Sequence, residues 1–399
     1  MKKKLLSITA LLLVSIILAV SLCSCSIDDF SGVNISNNPE KLPEGMVFPG
    51  PSIPYGIDVP NEDNTSTTKA LMSVVSVIAK NSTSESRGSG VIYQTNKIAG
   101  DAYIITNFHV VYNDYGTIMP EIYVMLYGLE AEQYRIKAKY VGGSAQYDIA
   151  VLKVSDSYTL RTSDVEEAVF ADSEKIKIYD EVAVIGNALG YGISATKGCI
   201  NVTSEYISMV TADSAMLVNR RVIRTDAAVN SGNSGGGLFD KSGKLIGIIK
   251  AKAVGNYADN MGYAIPSNVA KAVADNIIYF CDGTELNTVY KCTLGIEVET
   301  SELYSSYDEA TNTVVTKETV KIVSIADRTK ESLYMLEEGD IIRAITIDGK
   351  RIEISKRYML TEAMLLARDG SDITVEYTHH GSPKEFSFWA TSNIMLAYN

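Results

Sequence analysis

Histidine is scarce in this chain: 399 residues carry three, His109, His379 and His380. Chemistry that needs a neutral base near physiological pH therefore has few places to occur. Cysteine is scarce as well. Of five, Cys23 and Cys25 sit in a distinctive N-terminal segment, which leaves Cys199, Cys281 and Cys292. Three thiols cannot all pair within one chain, so disulfides do not define the fold, although a Cys281–Cys292 bridge stays open. Their spacing matches no zinc pattern, and neither a metal nor any other cofactor is expected. Basic charge is also in short supply, with 36 Lys and Arg against 48 Asp and Glu and a net charge of −12. Lys2, Lys3 and Lys4 belong to the N-terminal segment, so the remainder is more acidic still. Nucleic acid is a poor partner for such a surface, because phosphates are held by clustered Lys and Arg.

The N-terminus has what the rest lacks, a long apolar run. "MKKKLLSITALLLVSIILAVSLCSC" places three lysines before an uninterrupted stretch from Leu5 to Leu22 that holds no charged residue. Residues 1–25 read as an export signal or membrane anchor. "LCSC" resembles a bacterial lipobox, which implies cleavage and lipidation at Cys25; the alternative is that the apolar run stays in the membrane. Either way the lysines favour the cytoplasmic side and the rest of the chain faces outward, extracytoplasmic and tethered. Residues 26–66, rich in Asn, Pro, Ser and Gly, bury little and read as a flexible tether.

From 67 to 282 short β-type runs alternate with turn residues, among them "GVIYQT", "AYIITNFHVV", "EIYVMLYG", "IAVLKV", "EVAVIGN" and "KLIGIIKAKAV". Such a pattern argues a mostly β sandwich or barrel. "SNVAKAVADNIIYFC" breaks it with helical spacing, and Ser267 is its expected N-cap. Residues 286–399 form a third region of strand, strand, short helix ("KESLYMLEEG"), strand, hairpin, longer helix and two strands.

Within the β-rich region, "SGNSGGGLFD" surrounds Ser234 with Gly232, Gly235, Gly236 and Gly237. Glycine is used where the backbone must take angles closed to other residues or come very close to something. A serine becomes a nucleophile when a base takes its proton. His379 and His380, in the turn "YTHHGSP", read as solvated, whereas His109 directly follows an apolar strand in "AYIITNFHVVYND". A histidine base needs an acceptor that holds its tautomer, and Asp148 of "QYDIAVLKV" precedes another apolar strand. The order His109, Asp148, Ser234 excludes the elbow-type hydrolases, in which histidine comes last.

These motifs resemble the HtrA/Deg family of trypsin-like serine proteases. "RGSGVIY", "TNFHVV", "YDIAVLKV", "VIGNALG", "TDAAVNSGNSGGGLFD" and "MGYAIPSN" appear in the family's order over residues 70–270. "TLGI" and "EEGDIIRAITIDGKRI" extend the likeness to a PDZ domain. The resemblance implies two antiparallel six-stranded β-barrels of chymotrypsin-like fold followed by that domain. It makes Ser234 the nucleophile, His109 the general base and Asp148 its orienter. Gly232, Asn233 and Ser234 become the oxyanion loop, with the N–H groups of Gly232 and Ser234 as donors. Ala228, six residues before the nucleophile, replaces the aspartate of digestive relatives, so Ala228 and Val229 imply an S1 pocket for small apolar side chains. Asp226 and Lys250 lie near that pocket in sequence and otherwise read as solvent-exposed. Two departures, Phe108 where asparagine is common and Gly237 where proline is usual, are expected to alter loop stiffness without touching the chemistry.

In the PDZ region, Thr293, Leu294, Gly295 and Ile296 would form the loop that receives a peptide's terminal carboxylate, with "TEAMLLARDG" as the other groove wall. The implied protein is a membrane-tethered serine endopeptidase for unfolded or damaged proteins, working as a homotrimer or larger homo-oligomer. The rival reading is a chaperone or peptide sensor on the same fold without proteolysis.

Overall fold

The computed structural model describes residues 65–398 apart from 113–116, 214, 251–260, 281–287, 311–312, 327–335 and 392–393. The N-terminal apolar run, Cys25, most of the tether, Cys281 and the "KESLYMLEEG" helix therefore lie outside, or largely outside, the described residues. No described helix is long and apolar enough to cross a membrane. Cys199 and Cys292 are free thiols.

The first barrel follows a short helix, α1 (Thr65–Leu71), which begins just inside the stretch read as tether. Its strands are β1 (Val74–Lys80), β2 (Glu85–Asn96), β3 (Asp101–Thr106), β4 (Glu121–Leu126), β5 (Ile136–Ser144) and β6 (Ile149–Val154). They run β1-β2-β3-β6-β5-β4, and β1 pairs β4 to close the barrel. One helical turn, α2 (Phe108–Val111), follows β3. After a connecting helix, α3 (Tyr158–Thr162), come β7 (Glu181–Gly186), β8 (Ser194–Val210), β9 (Leu217–Thr225), β10 (Gly237–Asp240), β11 (Leu245–Lys250) and β12 (Gly262–Pro266). These close a second six-stranded barrel through the β7–β10 pair. Every strand pair is antiparallel. The sequence reading of two six-stranded barrels holds.

The apolar runs look nearly continuous because both faces of these strands are buried. Side chains alternate across a strand. On β1, Val75, Val77 and Ala79 fill the first barrel with Ile92, Ile104 and Leu152. Val74 faces the other way, into a core shared with Val91, Ile105, Ile185, Phe239 and Ile248. That shared layer fixes one barrel against the other. At roughly 1.5–3 kcal/mol per buried aliphatic or aromatic side chain, it leaves little freedom for the groups on its rim. The second barrel has its own interior around Val184, Ile200, Ile223, Leu238 and Ile249.

Helix α4 (Ser267–Phe280) begins on Ser267 itself, whose hydroxyl donates to the Ala171 carbonyl at 2.8 Å instead of capping the helix as expected, and Val269, Val273 and Ile277 lay an apolar stripe on the shared core. The C-terminal region contains β13 (Val289–Cys292), β14 (Ile296–Asp308), β15 (Thr313–Ile325), β16 (Ile341–Ile347), β17 (Lys350–Glu353), α5 (Arg357–Ala363), β18 (Asp372–His379), β19 (Ser382–Trp389) and β20 (Met395–Tyr398). Strands β14-β15-β16-β18-β19 form one sheet, with β17 on β16, while β13 pairs β20 apart from it. Its core gathers Leu294, Ile322, Ile345, Leu360 and Val375.

Candidate active site

The turn α2 carries His109 to the rim of the first barrel because Phe108, Val110 and Val111 are all buried and leave that one side chain free to face outward. Asn107, fully buried, donates from Nδ2 to the Asp148 carbonyl at 2.9 Å and so ties the turn to the start of β6. Asp148 itself is 0% exposed. Its φ of +54° is a left-handed value that costs a non-glycine residue about 1–2 kcal/mol. That conformation aims the carboxylate back at the turn. His109 Nδ1 lies 3.0 Å from both carboxylate oxygens, and the His109 backbone N–H donates to Oδ1 at 3.1 Å. The imidazole is partly open, at 35% exposure. Phe108, one of the two family departures, packs on Tyr112 with ring centroids 4.9 Å apart.

Ser234 sits 5% exposed on the glycine loop between β9 and β10. The loop is stitched to the first barrel. Ser89 N–H donates to the Ser234 carbonyl at 2.8 Å, and Ser89 Oγ donates to the Gly232 carbonyl at 2.8 Å. Gly235, with φ +84°, could not carry a side chain: a Cβ would fall 2.1 Å from the Ser89 carbonyl and 3.1 Å from Asn107 N. Gly232 is likewise left-handed at +94° and presses on the Asn187 carbonyl. The loop of Ser234 and the turn of His109 are thereby held together across the shared core. Amides of Asn233, Gly235 and Gly236 are used on the carbonyls of Asn230, Ile249 and Asn233. At Gly237 the ring of Phe239 occupies the place of a side chain, 2.2 Å from where a Cβ would be, so the missing proline has a packing reason.

One prominent contact in the site was not anticipated. Lys250, at the end of β11, is buried, and its Nζ donates to Asp148 Oδ2 at 2.6 Å. The expectation of a solvent-exposed lysine is corrected, since every residue of β11 is buried and a charge there must find a partner. Arg220, on β9, donates to the carbonyls of Ala145 and Gln146 at 2.5 Å each, just before Asp148. Burial would raise the Asp148 carboxyl, but His109, Lys250 and Arg220 outweigh it and hold the group well below the usual carboxylate range. Lys250 is drawn down by burial, with Asp148 opposing.

Of the residues assigned to a specificity pocket, Ala228 is exposed and its carbonyl accepts from Thr196 Oγ1 at 2.8 Å, while Val229 packs on the second barrel's interior. Asp226 is exposed and accepts from Cys199 N–H at 2.7 Å. In the C-terminal sheet, Gly295 (φ +62°) turns the Thr293–Ile296 segment into β14, and its N–H donates to Thr293 Oγ1 at 3.1 Å. Leu294 is buried beneath it. His379 and His380 are far from the cleft in sequence and fold. His379 Nδ1 lies 2.9 Å from Asp340 Oδ1 and is partly buried, whereas His380 is exposed at the hairpin turn.

Residues 88–248 match the family model for the trypsin-like peptidase domain. Over 190 residues the chain is 37% identical to serine protease Do-like HtrA of Lactococcus lactis subsp. lactis, covering 46% of this chain and 42% of that protein. Identity is again 37% over 199 residues with serine protease Do-like HtrA of Bacillus subtilis, covering 49% and 40%. A longer match, 29% over 304 residues, is to the periplasmic pH-dependent serine endoprotease DegQ of Escherichia coli, covering 74% and 59%. The first two matches thus span about two fifths of those relatives' own lengths. Among solved structures, the HtrA-type protease AlgW with tripeptide superposes with a TM-score of 0.56 at 24% identity, covering 83% of this chain and 97% of that one. That likeness is one of fold, and it reaches beyond the two barrels into the C-terminal sheet.

Proposed function

We propose that the chain is a serine endopeptidase of the HtrA type with the trypsin-like fold and that it uses His109, Asp148 and Ser234 as its catalytic triad. The supporting observation is the buried Asp148 gripping His109 Nδ1 at 3.0 Å beside the strapped-down loop of Ser234. In the proposed reaction Ser234 Oγ attacks the scissile carbonyl while His109 Nε2 takes the hydroxyl proton. Asp148 keeps Nδ1 protonated and stabilises the imidazolium. The oxyanion rests on the N–H groups of Gly232 and Ser234, with Asn233 between them; one such donor is worth about 2.7–4 kcal/mol in the transition state. His109 then protonates the leaving amine, and the same groups activate water to hydrolyse the acyl-enzyme. Ala228 and Val229 suit a small apolar P1 side chain.

Residues 286–399 are the proposed PDZ domain, with a groove between β14 and α5 and Thr293–Ile296 receiving a terminal carboxylate. The turn at Gly295 into β14, with Leu294 buried beneath it, supports that reading. Substrates are proposed to be unfolded or damaged proteins met outside the cytoplasm, with the chain tethered through lipidated Cys25 or the apolar run itself and assembled as a homotrimer or larger homo-oligomer. Relatives named as periplasmic agree with that location.

The test of the triad is direct. A fluorophosphonate probe should modify Ser234, and wild type should degrade unfolded casein while Ser234→Ala loses at least ~10⁴-fold of that rate. Equal casein loss in both proteins would leave the non-proteolytic peptide-binding reading in its place. For the groove, a free-acid apolar peptide should bind more tightly than its C-terminal amide.

A further inference from the structure

A serine-protease triad leaves Lys250 unexplained. Its ammonium is buried, yet it lies 2.6 Å from the very carboxylate that holds His109. Burying both charges is costly unless each has a partner in good geometry. Charged groups face Asp148 from three elements: His109 from α2, Lys250 from β11 and Arg220 from β9. Arg220 is fixed by two carbonyls and shares its charge between Asp148 and Asp213. The remaining donor to the carboxylate is the uncharged His109 backbone N–H, and Asn107 engages only the Asp148 carbonyl. Lys250 alone binds Oδ2 with a full charge.

We propose that Lys250 is a positioning residue that fixes the Asp148 carboxylate and lowers the pH at which His109 becomes a competent base. The inference rests on the triad reading given above. A carboxylate stabilises a neighbouring imidazolium through its negative potential. An ammonium on the opposite oxygen offsets part of that potential, so protonated His109 is held less firmly and releases its proton at lower pH. Through a protein of effective dielectric about 20, a unit charge on the far side of a shared carboxylate is enough to move a neighbouring titration by about one pH unit. Lys250 also prevents the carboxylate from rotating, which keeps Nδ1 engaged while Nε2 works.

The experiment uses the full chain with Ser234→Ala, so that the readout does not depend on turnover. NMR titration of the imidazoles gives the His109 midpoint, and substitution of His379 and His380 assigns the other two signals. In the Lys250→Met protein the His109 midpoint should rise by about one pH unit, and Lys250→Arg should hold it at the starting value. Lys250→Gln, which keeps a hydrogen bond without the charge, should shift as Met does and stands in if the Met protein fails to fold. With Ser234 restored, the acid limb of kcat/KM should move by the same amount. A His109 midpoint unmoved by loss of the lysine charge overturns the proposal. Absence of Ser234-dependent cleavage in the wild type would instead remove the triad reading, while the titration still decides the role of Lys250.

Discussion

Arg220 and Arg221 are neighbours on β9 and point to opposite sides of it, as successive strand residues do. Arg220 turns to the cleft and holds the carbonyls before Asp148. Arg221, 4% exposed, turns to the C-terminal sheet, where it donates to Glu362 of α5 at 2.9 Å and to Glu174 at 2.5 Å. Its guanidinium also lies 4.6 Å from the Tyr358 ring centroid and bonds Ser204 Oγ at 3.1 Å. Asp148 and Glu362 are both largely removed from water, yet they behave oppositely, while Glu174 stays exposed. In the cleft one carboxylate has Lys250, Arg220 and a titratable imidazole, and it stays ionised. At the seam a single guanidinium is shared by two carboxylates, and burial pushes Glu362 up to about 7 despite Arg221. Burial opposes the charge on both acids, and the cations set against it decide which of them keeps it.

The most severe way to break this contrast is to remove the cleft's acid. Asp148→Asn presents an amide to His109, which favours the wrong tautomer, and kcat/KM for a peptide substrate should fall by about 10⁴-fold. It also leaves Lys250 and Arg220 buried without their counter-charge, so urea stability should drop by roughly 3 kcal/mol. A variant that kept both activity and stability would remove Asp148 from the centre of the cluster.

How much of this was legible beforehand differs between the two clusters for a physical reason. The proposed triad could be picked out because the sequence has three histidines and because His109, Asp148 and Ser234 each lie beside an apolar strand with a local signature. The short apolar runs marked a sandwich or barrel, and the resemblance narrowed that to two barrels. Lys250 carried a signal that the reading passed over: it ends "LIGIIK", a strand buried on both faces, where a lysine requires an acid. The seam had no local signal at all, since Arg221 and Glu362 are 141 residues apart and look like ordinary surface charges in sequence. The long β14–β15 hairpin was underestimated because residues such as Leu303, Tyr304 and Tyr307 remain exposed on it. Without a buried face, its alternation marks no core.

A milder break is at the seam. Arg221→Met keeps much of the apolar stem but strands Glu362 beside Glu174. Loss of one partner from a buried pair costs roughly 3–5 kcal/mol, lessened here because Glu362 can take up a proton. We expect about 2 kcal/mol less stability by urea denaturation at pH 7. The His109 midpoint should not move. A shifted midpoint would mean that the two arginines belong to one electrostatic unit after all.

The finest discrimination comes from Glu362→Gln. The Glu362 carboxyl is raised from its ordinary value of 4.5 to about 7 in the folded chain, chiefly by burial. Between those values the folded protein holds a proton that the unfolded chain has released, so the stability this group supplies is complete below about 4.5 and drains away as pH rises through 7. Asp148 has the opposite sign: its carboxyl is depressed, so its contribution is present above the ordinary carboxylate value and does not decline over the same window. Glutamine cannot ionise. Urea midpoints measured at pH 5 and pH 8 should therefore fall more steeply in the wild type than in Glu362→Gln, by on the order of 2 kcal/mol. Parallel slopes would mean that Glu362 stays charged on Arg221 throughout, as Asp148 does on Lys250, and that sharing one cation between two acids costs the seam nothing.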